Sequence, residues 1–179
     1  MRLLVGAFTV LVAALAAGSA FAGHARRPQA HRSAVALTRL EQGVLHDINV
    51  FRRKHGLAPV RISTQLTAAA RQHSREMAHE GYFAHSSGDG SVFWKRIQRF
   101  YGSHSWGLWS VGENLLWSSP TVTAARALTM WEHSPEHREN LLTPRWREIG
   151  ISAVHASEAP GAYHGLDVTI VTTDFGVRR

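Results

Sequence analysis

The chain has 179 residues, no cysteine and a formal charge of +7, from 20 Lys and Arg against 13 Asp and Glu. The lack of cysteine excludes a disulfide-stapled scaffold, so packing alone must hold the fold. The scattered arginines form no nucleic-acid-binding motif, so the excess charge serves solubility or attraction to anionic lipids and envelope polymers.

The N-terminus has the organisation of a secretory signal peptide. Arg2 precedes an apolar run over 3–15, and small residues lead to an AxA-like cleavage site at Ala22. The run is shorter than the roughly 20 residues that cross a bilayer, and no later stretch predicts a transmembrane segment. We therefore predict a cleaved signal peptide, export to the periplasm or the extracellular space, a flexible basic segment over 23–33 and one domain over 34–179.

Apolar residues at helical spacing predict four helices in the first part of this domain. Cap and breaker residues bound each of them. The first runs from Leu37 to before Gly56, the second from Ser63 to Gly81, the third from Phe93 to Gly102, and the fourth from Pro120 through Trp131.

In the last third of the chain, the spacing of apolar residues changes from that of helices to that of strands. EIGISAVHA (148–156) and DVTIVTTDF (167–175) are rich in β-branched residues and flank a loop that contains Pro160 and Gly161. This pattern predicts an antiparallel hairpin, and SVGENLLWS (110–118) predicts a third strand or its entry. Helices followed by strands favour an α+β fold, with helices packed on a small antiparallel sheet.

The stretch WEHSPEHRENLL places His133, Glu136 and His137 in the HxxEH order of inverzincin metalloproteases. Such a zinc site needs one continuous helix, because only the i, i+4 spacing puts both imidazoles on one face. Pro135 would break that helix at a cost of about 3 kcal/mol, and Ser134-Pro135 is instead typical of a helix start. We therefore interpret the HxxEH match as accidental. His137 should lie inside a fifth helix, whose N-terminus keeps the imidazole neutral.

Five segments occur in an order that carries a family resemblance: VLHDINVFRRKHGLAPV, LTAAARQHSREMAHEGYFAHSSGDG, GENLLW, MWEHSPEHRENLLTPRWREIGI and TTDFG. From about Leu40 to Phe175 the sequence resembles the CAP superfamily of cysteine-rich secretory, antigen 5 and pathogenesis-related 1 proteins, and in particular its cysteine-free bacterial branch. The resemblance implies an α-β-α sandwich. In it, an antiparallel sheet of three or slightly more strands lies between helical layers, beside a cleft lined by His and Glu.

The resemblance also implies the site residues. His85 of FAHSS matches the first histidine of the family's His/Glu tetrad, Glu113 of GEN the first glutamate, and His137 of SPEHR the second histidine. Two interpretations remain open. The three residues hold a divalent ion, preferably zinc, in a weak or opportunistic site, or they hydrogen-bond the loops around the cleft and contact a ligand.

The second glutamate of the tetrad is missing. The family's WxxE motif reads Trp131 to Ser134 here, so a serine stands where the acid would be. Glu132 and Glu136 are neighbours in sequence but do not occupy the matching place. Two imidazoles and one carboxylate remain.

Aromatic residues crowd into 93–117 and have two interpretations. They fill the core between the third helix and the sheet, or they line a groove for an apolar ligand. The residues are Phe93, Trp94, Phe100, Tyr101, Trp106, Trp109 and Trp117.

The function predicted from the sequence is an exported, monomeric binding or interaction module for an unknown ligand, such as a lipid or an envelope polymer. No catalytic residue is assigned. One alternative is a metal-assisted hydrolase that uses cleft-bound zinc, with Glu113 as the base. The other is a lipid or sterol carrier with an apolar groove lined by Trp94, Trp106 or Trp109.

Overall fold

The computed structural model describes residues 36–179. The predicted signal peptide over 1–22 and the basic segment over 23–33 lie outside these residues. Within them the helices are α1 (Arg39–Lys54), α2 (Thr64–Glu80), α3 (Phe93–Phe100), α4 (Ala124–Glu132) and α5 (Pro135–Leu141). The strands are β1 (Arg61–Ile62), β2 (Trp109–Ser118), β3 (Glu148–Ala159) and β4 (Leu166–Arg178), with a 3-10 turn at Gly161–Tyr163 before β4.

Local signals explain where most helices begin and end. The Ser63 hydroxyl accepts from the Leu66 N–H at the start of α2, and Gly81 ends that helix with φ of 74°. The start of α4 differs from the prediction. The Thr123 hydroxyl caps the Arg126 N–H, so the helix begins at Ala124, after the predicted opening at Pro120.

The sheet has the strand order β1-β3-β4-β2. Both long pairings, β2 with β4 and β3 with β4, are antiparallel, which confirms the predicted hairpin and third strand. The short strand β1 pairs in parallel with β3, although the sequence indicated only an extended link there. Strand β2 is therefore an edge strand of the sheet.

Helices cover both faces of this sheet. On one face Leu66 of α2 and Ile97 of α3 pack with Val111 of β2. On the other face α1, α4 and α5 enclose a larger core that includes Leu116 of β2 and Phe175 of β4. Because side chains alternate along a strand, β2 contributes to both cores. The predicted α-β-α sandwich is confirmed.

Most of the crowded aromatics belong to the core. Tyr101 is fully buried and Trp109 is only 4% exposed, with its indole N–H donating to the Tyr101 carbonyl at 2.8 Å. Phe93, Trp94 and Phe100 pack partly buried against the same cluster. Trp106 is different, because it is 43% exposed and lies beside the Arg178 guanidinium. None of the helices within residues 36–179 is long and apolar enough to cross a membrane.

Candidate functional site

Two successive residues of edge strand β2 hold the two halves of the site. Glu113 points to the α2 and α3 face and contacts His85, whereas Asn114 points to the α5 face and contacts the backbone of His137. The twofold alternation of side chains along a strand places these anchors on opposite faces of the sheet. The site therefore straddles the sheet edge.

Glu113 is a buried carboxylate with both oxygens engaged. The His85 Nδ1–H donates to Oε1 at 2.8 Å, and the Arg96 guanidinium pairs with Oε2. Burial, the largest single effect, raises the pKa of Glu113, but Arg96, His73 and His85 together outweigh it and lower that pKa to about 2. Glu113 is thus ionised, and Arg96 neutralises its charge.

The loop that carries His85 is held at three points. Arg96 donates from Nη1 to the His85 carbonyl at 3.1 Å and to the Ser87 hydroxyl at 3.2 Å. The buried His73 of α2 donates from Nε2 to the Ala84 carbonyl at 2.9 Å. These bonds fix the loop backbone, while the His85 side chain keeps 21% exposure to solvent.

Helix α5 presents His137 from the other side of the strand. Asn114 donates from Nδ2 to the His137 carbonyl at 3.1 Å and accepts from Asn140 Nδ2 at 2.8 Å. The His137 ring lies with Nδ1 2.8 Å from the Ser134 hydroxyl. Ser134, at the place where the resemblance implied a second glutamate, therefore orients this imidazole.

The imidazole of His137 is neutral near pH 7. Burial, followed by the charge of the nearby His85, lowers the pKa of His137 to about 4. The sequence predicted the neutral state, but from the helix N-terminus. The physical cause is instead desolvation and a neighbouring histidine.

The HxxEH stretch does not form one helix. Helix α4 ends at Glu132 and α5 begins at Pro135, with His133 between them. The exposed His133 ring turns back to the Thr129 carbonyl, 2.7 Å from its Nδ1. This confirms the interpretation that the inverzincin match is accidental.

The side chains at the site limit how a metal ion can be coordinated there. Within residues 36–179, no group of three or more His, Asp or Glu side chains is arranged to hold an ion. Both oxygens of Glu113 already have partners, which suits an orienting role behind His85 better than direct coordination. Of the three residues predicted to hold a metal, His85 and His137 remain as donors of the kind that zinc takes.

A comparison with known families identifies the chain. The profile described as the cysteine-rich secretory protein family, CAP, matches residues 45–173, which is more than half of the sequence. The chain belongs to the CAP family. The resemblance carried by the sequence motifs is thereby confirmed.

Two relatives of this CAP domain come from Bacillus subtilis. It is 29% identical over 116 residues to the uncharacterized protein YkwD of Bacillus subtilis and 28% identical over 114 residues to the uncharacterized membrane protein YlbC of the same organism. These matches cover 65% and 64% of this chain, and 43% and 31% of the two relatives. The chain thus spans less than half the length of either relative.

Solved structures share the fold. An outer surface protein from Borrelia burgdorferi superposes with a TM-score of 0.61 at 21% identity, covering 77% of this chain and 92% of that chain. An extracellular protein containing an SCP domain from Bacillus anthracis gives a TM-score of 0.57 at 26% identity, covering 82% of this chain and 45% of that one.

Two residues of the CAP site escaped the sequence analysis. Arg96 lies in the short helix α3 between Lys95 and Ile97, and nothing in its spacing shows that it pairs with Glu113. Asp174 lies directly across from Glu113 in the β2–β4 register. A signal for Asp174 existed, because it shares a strand face with the buried Val168 and Ile170 at a spacing of two.

Asp174 is a buried neutral acid. It is fully buried, and no N–H or hydroxyl group of residues 36–179 donates to its carboxyl oxygens, while the Glu113 carboxylate lies within hydrogen-bond reach. Burial and then the Glu113 charge raise the pKa of Asp174 well above its ordinary value. Glu113 and Asp174 therefore form a carboxyl pair in which one member is ionised and the other keeps its proton.

The Asp174→Asn variant is expected to gain stability relative to wild type as the pH rises. An unfolded Asp releases its proton near pH 3.9, whereas the folded Asp174 keeps it, so wild-type stability falls as the pH rises above that value. Asparagine has no such proton. The difference in melting temperature, variant minus wild type, should be larger at pH 7 than at pH 3. The increase should be roughly 2–4 °C for each kcal/mol of unfolding free energy that the wild type loses between these pH values. A difference that does not change with pH would show that Asp174 is ionised in the folded domain.

Proposed function

We propose that this CAP domain is an exported ligand-binding module whose ligand contacts His85 and His137. The observation that carries the proposal is the pair of anchors on β2, since Glu113 and Asn114 fix the two histidines from opposite faces of one strand. The similar SCP-domain structure from Bacillus anthracis is that of an extracellular protein, which supports a site of action outside the cytoplasm. The signal peptide predicted over 1–22 supports the same location.

Each histidine has a fixed ring orientation. A carboxylate only accepts hydrogen bonds, so Glu113 holds the proton of a neutral His85 on Nδ1 and makes Nε2 the basic nitrogen. Ser134 contacts the same ring position, Nδ1, of His137. Two imidazoles oriented through Nδ1 can bind a polar group of a ligand, or a zinc ion whose shell is completed by the ligand or water.

The same geometry argues against Glu113 as the base of a hydrolase. A general base works best when its pKa lies near the operating pH. Against the raising effect of burial, Arg96, His73 and His85 together lower the pKa of Glu113 to about 2, and His85 and Arg96 occupy its oxygens. A carboxylate in this state orients a neighbour and is a weak proton acceptor.

Zinc titration by calorimetry on residues 23–179 tests the site. We expect weak binding, with Kd on the order of 10–100 µM, because two protein ligands are fewer than the three or four of established zinc sites. Binding should be lost in His85→Ala and in His137→Ala. The matched control His133→Ala removes an exposed histidine of the neighbouring turn and should bind as wild type does.

The variants separate the possible outcomes. Retained zinc binding in His85→Ala and His137→Ala would place the metal elsewhere and contradict the two-histidine site. If the wild-type domain binds no zinc, the metal part of the proposal is wrong. The search for a ligand then moves to lipids and envelope polymers.

A further inference from the structure

Ser134 gives His137 a different kind of partner from the one that Glu113 gives His85. Ser134 directly precedes α5 and His137 lies three residues later, so one helical turn brings their side chains together. The hydroxyl oxygen lies 2.8 Å from Nδ1 of the ring. A carboxylate only accepts hydrogen bonds, whereas a hydroxyl donates or accepts. Glu113 therefore fixes the proton of a neutral His85 on Nδ1, and Ser134 permits either tautomer of His137.

The contacts of Ser134 favour donation by its hydroxyl. A serine in front of a helix usually accepts from an N–H of the first turn, but Ser134 makes no such side-chain bond. Within residues 36–179, the partner of its hydroxyl is the His137 ring. If Nδ1–H donated to this oxygen, the hydrogen of the hydroxyl would have no acceptor among these residues. A hydroxyl that donates to Nδ1 leaves the proton of the neutral ring on Nε2.

The neighbouring histidine favours the same tautomer. His85 lies near enough to His137 for its charge to lower the pKa of His137. With its proton on Nδ1, a neutral His85 has a lone pair on Nε2. A proton on Nε2 of His137 is attracted to this negative end of the His85 ring, whereas a second lone pair is repelled by it. The two neutral rings are therefore most stable as a donor beside an acceptor.

We propose that Ser134 is a positioning residue that keeps the proton of neutral His137 on Nε2, so that the cleft presents a hydrogen-bond donor beside the acceptor Nε2 of His85. The inference rests on the proposed function, because it concerns the same two histidines. A ligand hydroxyl both donates and accepts and so matches this pair. Zinc needs a lone pair from each imidazole. Its binding requires the His137 proton to move to Nδ1 and the Ser134 hydroxyl to accept, which weakens the binding.

Imidazole nitrogen NMR of residues 23–179 at pH 8, where an ordinary imidazole is neutral, reports the tautomer of each ring. In the wild type, His137 should carry its proton on Nε2 and His85 on Nδ1. Ser134→Asp supplies a carboxylate, which only accepts, and should move the His137 proton to Nδ1. Aspartate also suits the position before a helix, so the domain should stay folded. Ser134→Thr keeps a hydroxyl and should give the wild-type tautomer.

Zinc calorimetry measures the consequence for binding. Ser134→Asp should bind zinc about tenfold or more tightly than the wild type, since partners behind metal-binding histidines typically change affinity by about 10–100-fold. The matched control His133→Asp adds the same charge at the neighbouring exposed residue, whose ring contacts the Thr129 carbonyl. Its affinity should stay within about threefold of wild type, because an exposed charge is screened. Adding His137→Ala to Ser134→Asp should abolish the gain.

The two measurements separate this inference from the proposed zinc site. A wild-type His137 with its proton on Nδ1 would overturn the inference, as would a tautomer that is the same in Ser134→Asp as in the wild type. Equal zinc affinities of Ser134→Asp and His133→Asp would also overturn it. If the wild type binds no zinc while both variants show the expected tautomers and affinities, the inference is supported and only the metal part of the proposed function fails.

Discussion

Replacing Arg96 by methionine is expected to lower the free energy of unfolding by about 3–5 kcal/mol, because it leaves a buried carboxylate without its cation. Arg96 is fully buried and pairs with Glu113, which is also buried. The variant also loses the bonds from Arg96 to the His85 carbonyl and the Ser87 hydroxyl. Such a loss is a large share of the roughly 5–15 kcal/mol that stabilises a typical domain. Urea denaturation followed by tryptophan fluorescence measures it.

A double-mutant cycle separates the unpaired charge from lost packing. In Arg96→Met/Glu113→Gln the remaining partner is neutral, so the double variant should be more stable than Arg96→Met alone. Glu113→Gln alone leaves Arg96 unpaired and should also be destabilised. If the loss of unfolding free energy in the double variant equals the sum of the two single losses, Arg96 and Glu113 do not stabilise each other.

Replacing Gly150 by alanine is expected to destabilise the domain by at least about 4 kcal/mol, a size reached by few single substitutions. A Cβ at Gly150 would lie 2.0 Å from the Leu66 carbonyl carbon and 2.2 Å from the Thr67 nitrogen. Both atoms belong to the backbone of α2, which cannot rotate away as a side chain can. The helix would have to lift from the sheet, so the clash affects a whole layer.

Gly102→Ala is the matched control. A Cβ at Gly102 would meet nothing closer than the Gln98 carbonyl at 4.0 Å, and its φ is not in the left-handed region. This variant should stay within about 0.5 kcal/mol of wild type, as surface substitutions usually do. If Gly150→Ala proves as mild as Gly102→Ala, α2 does not contact β3 as closely as the structure places it.

Much of the fold could be predicted because local signals and long-range packing agree. The Ser63 hydroxyl caps the start of α2, Gly81 ends that helix with a left-handed backbone, and Pro135 starts α5. The start of α4 was predicted too early because Pro120 is a common opening residue, whereas the Thr123 hydroxyl is the cap that forms. Strand β1 has two residues, too few for a periodic pattern.

The site was predictable only through its family motifs. His85, Glu113 and His137 lie far apart in the sequence, and only the family resemblance predicted that they line one cleft. Arg96 could not be assigned, because its role depends on how α3 packs beside Glu113. The strand spacing indicated a buried face for Asp174, but the sequence did not show that the sheet register places it across from Glu113. An arginine or aspartate in such a segment is usually exposed, so composition favoured the wrong environment for both.

Imidazole nitrogen NMR of the histidines, recorded from about pH 8 down to about pH 4, tests the central claim most directly. That claim is that Glu113 and Arg96 fix His85 beside a half-buried, neutral His137. In its neutral form His85 should carry its proton on Nδ1, because the Glu113 carboxylate can only accept. His137 should stay neutral until the pH approaches about 4, the value to which burial and the His85 charge lower its pKa. A neutral His85 protonated on Nε2, or a His137 that titrates near the ordinary value of about 6.5, would contradict the account.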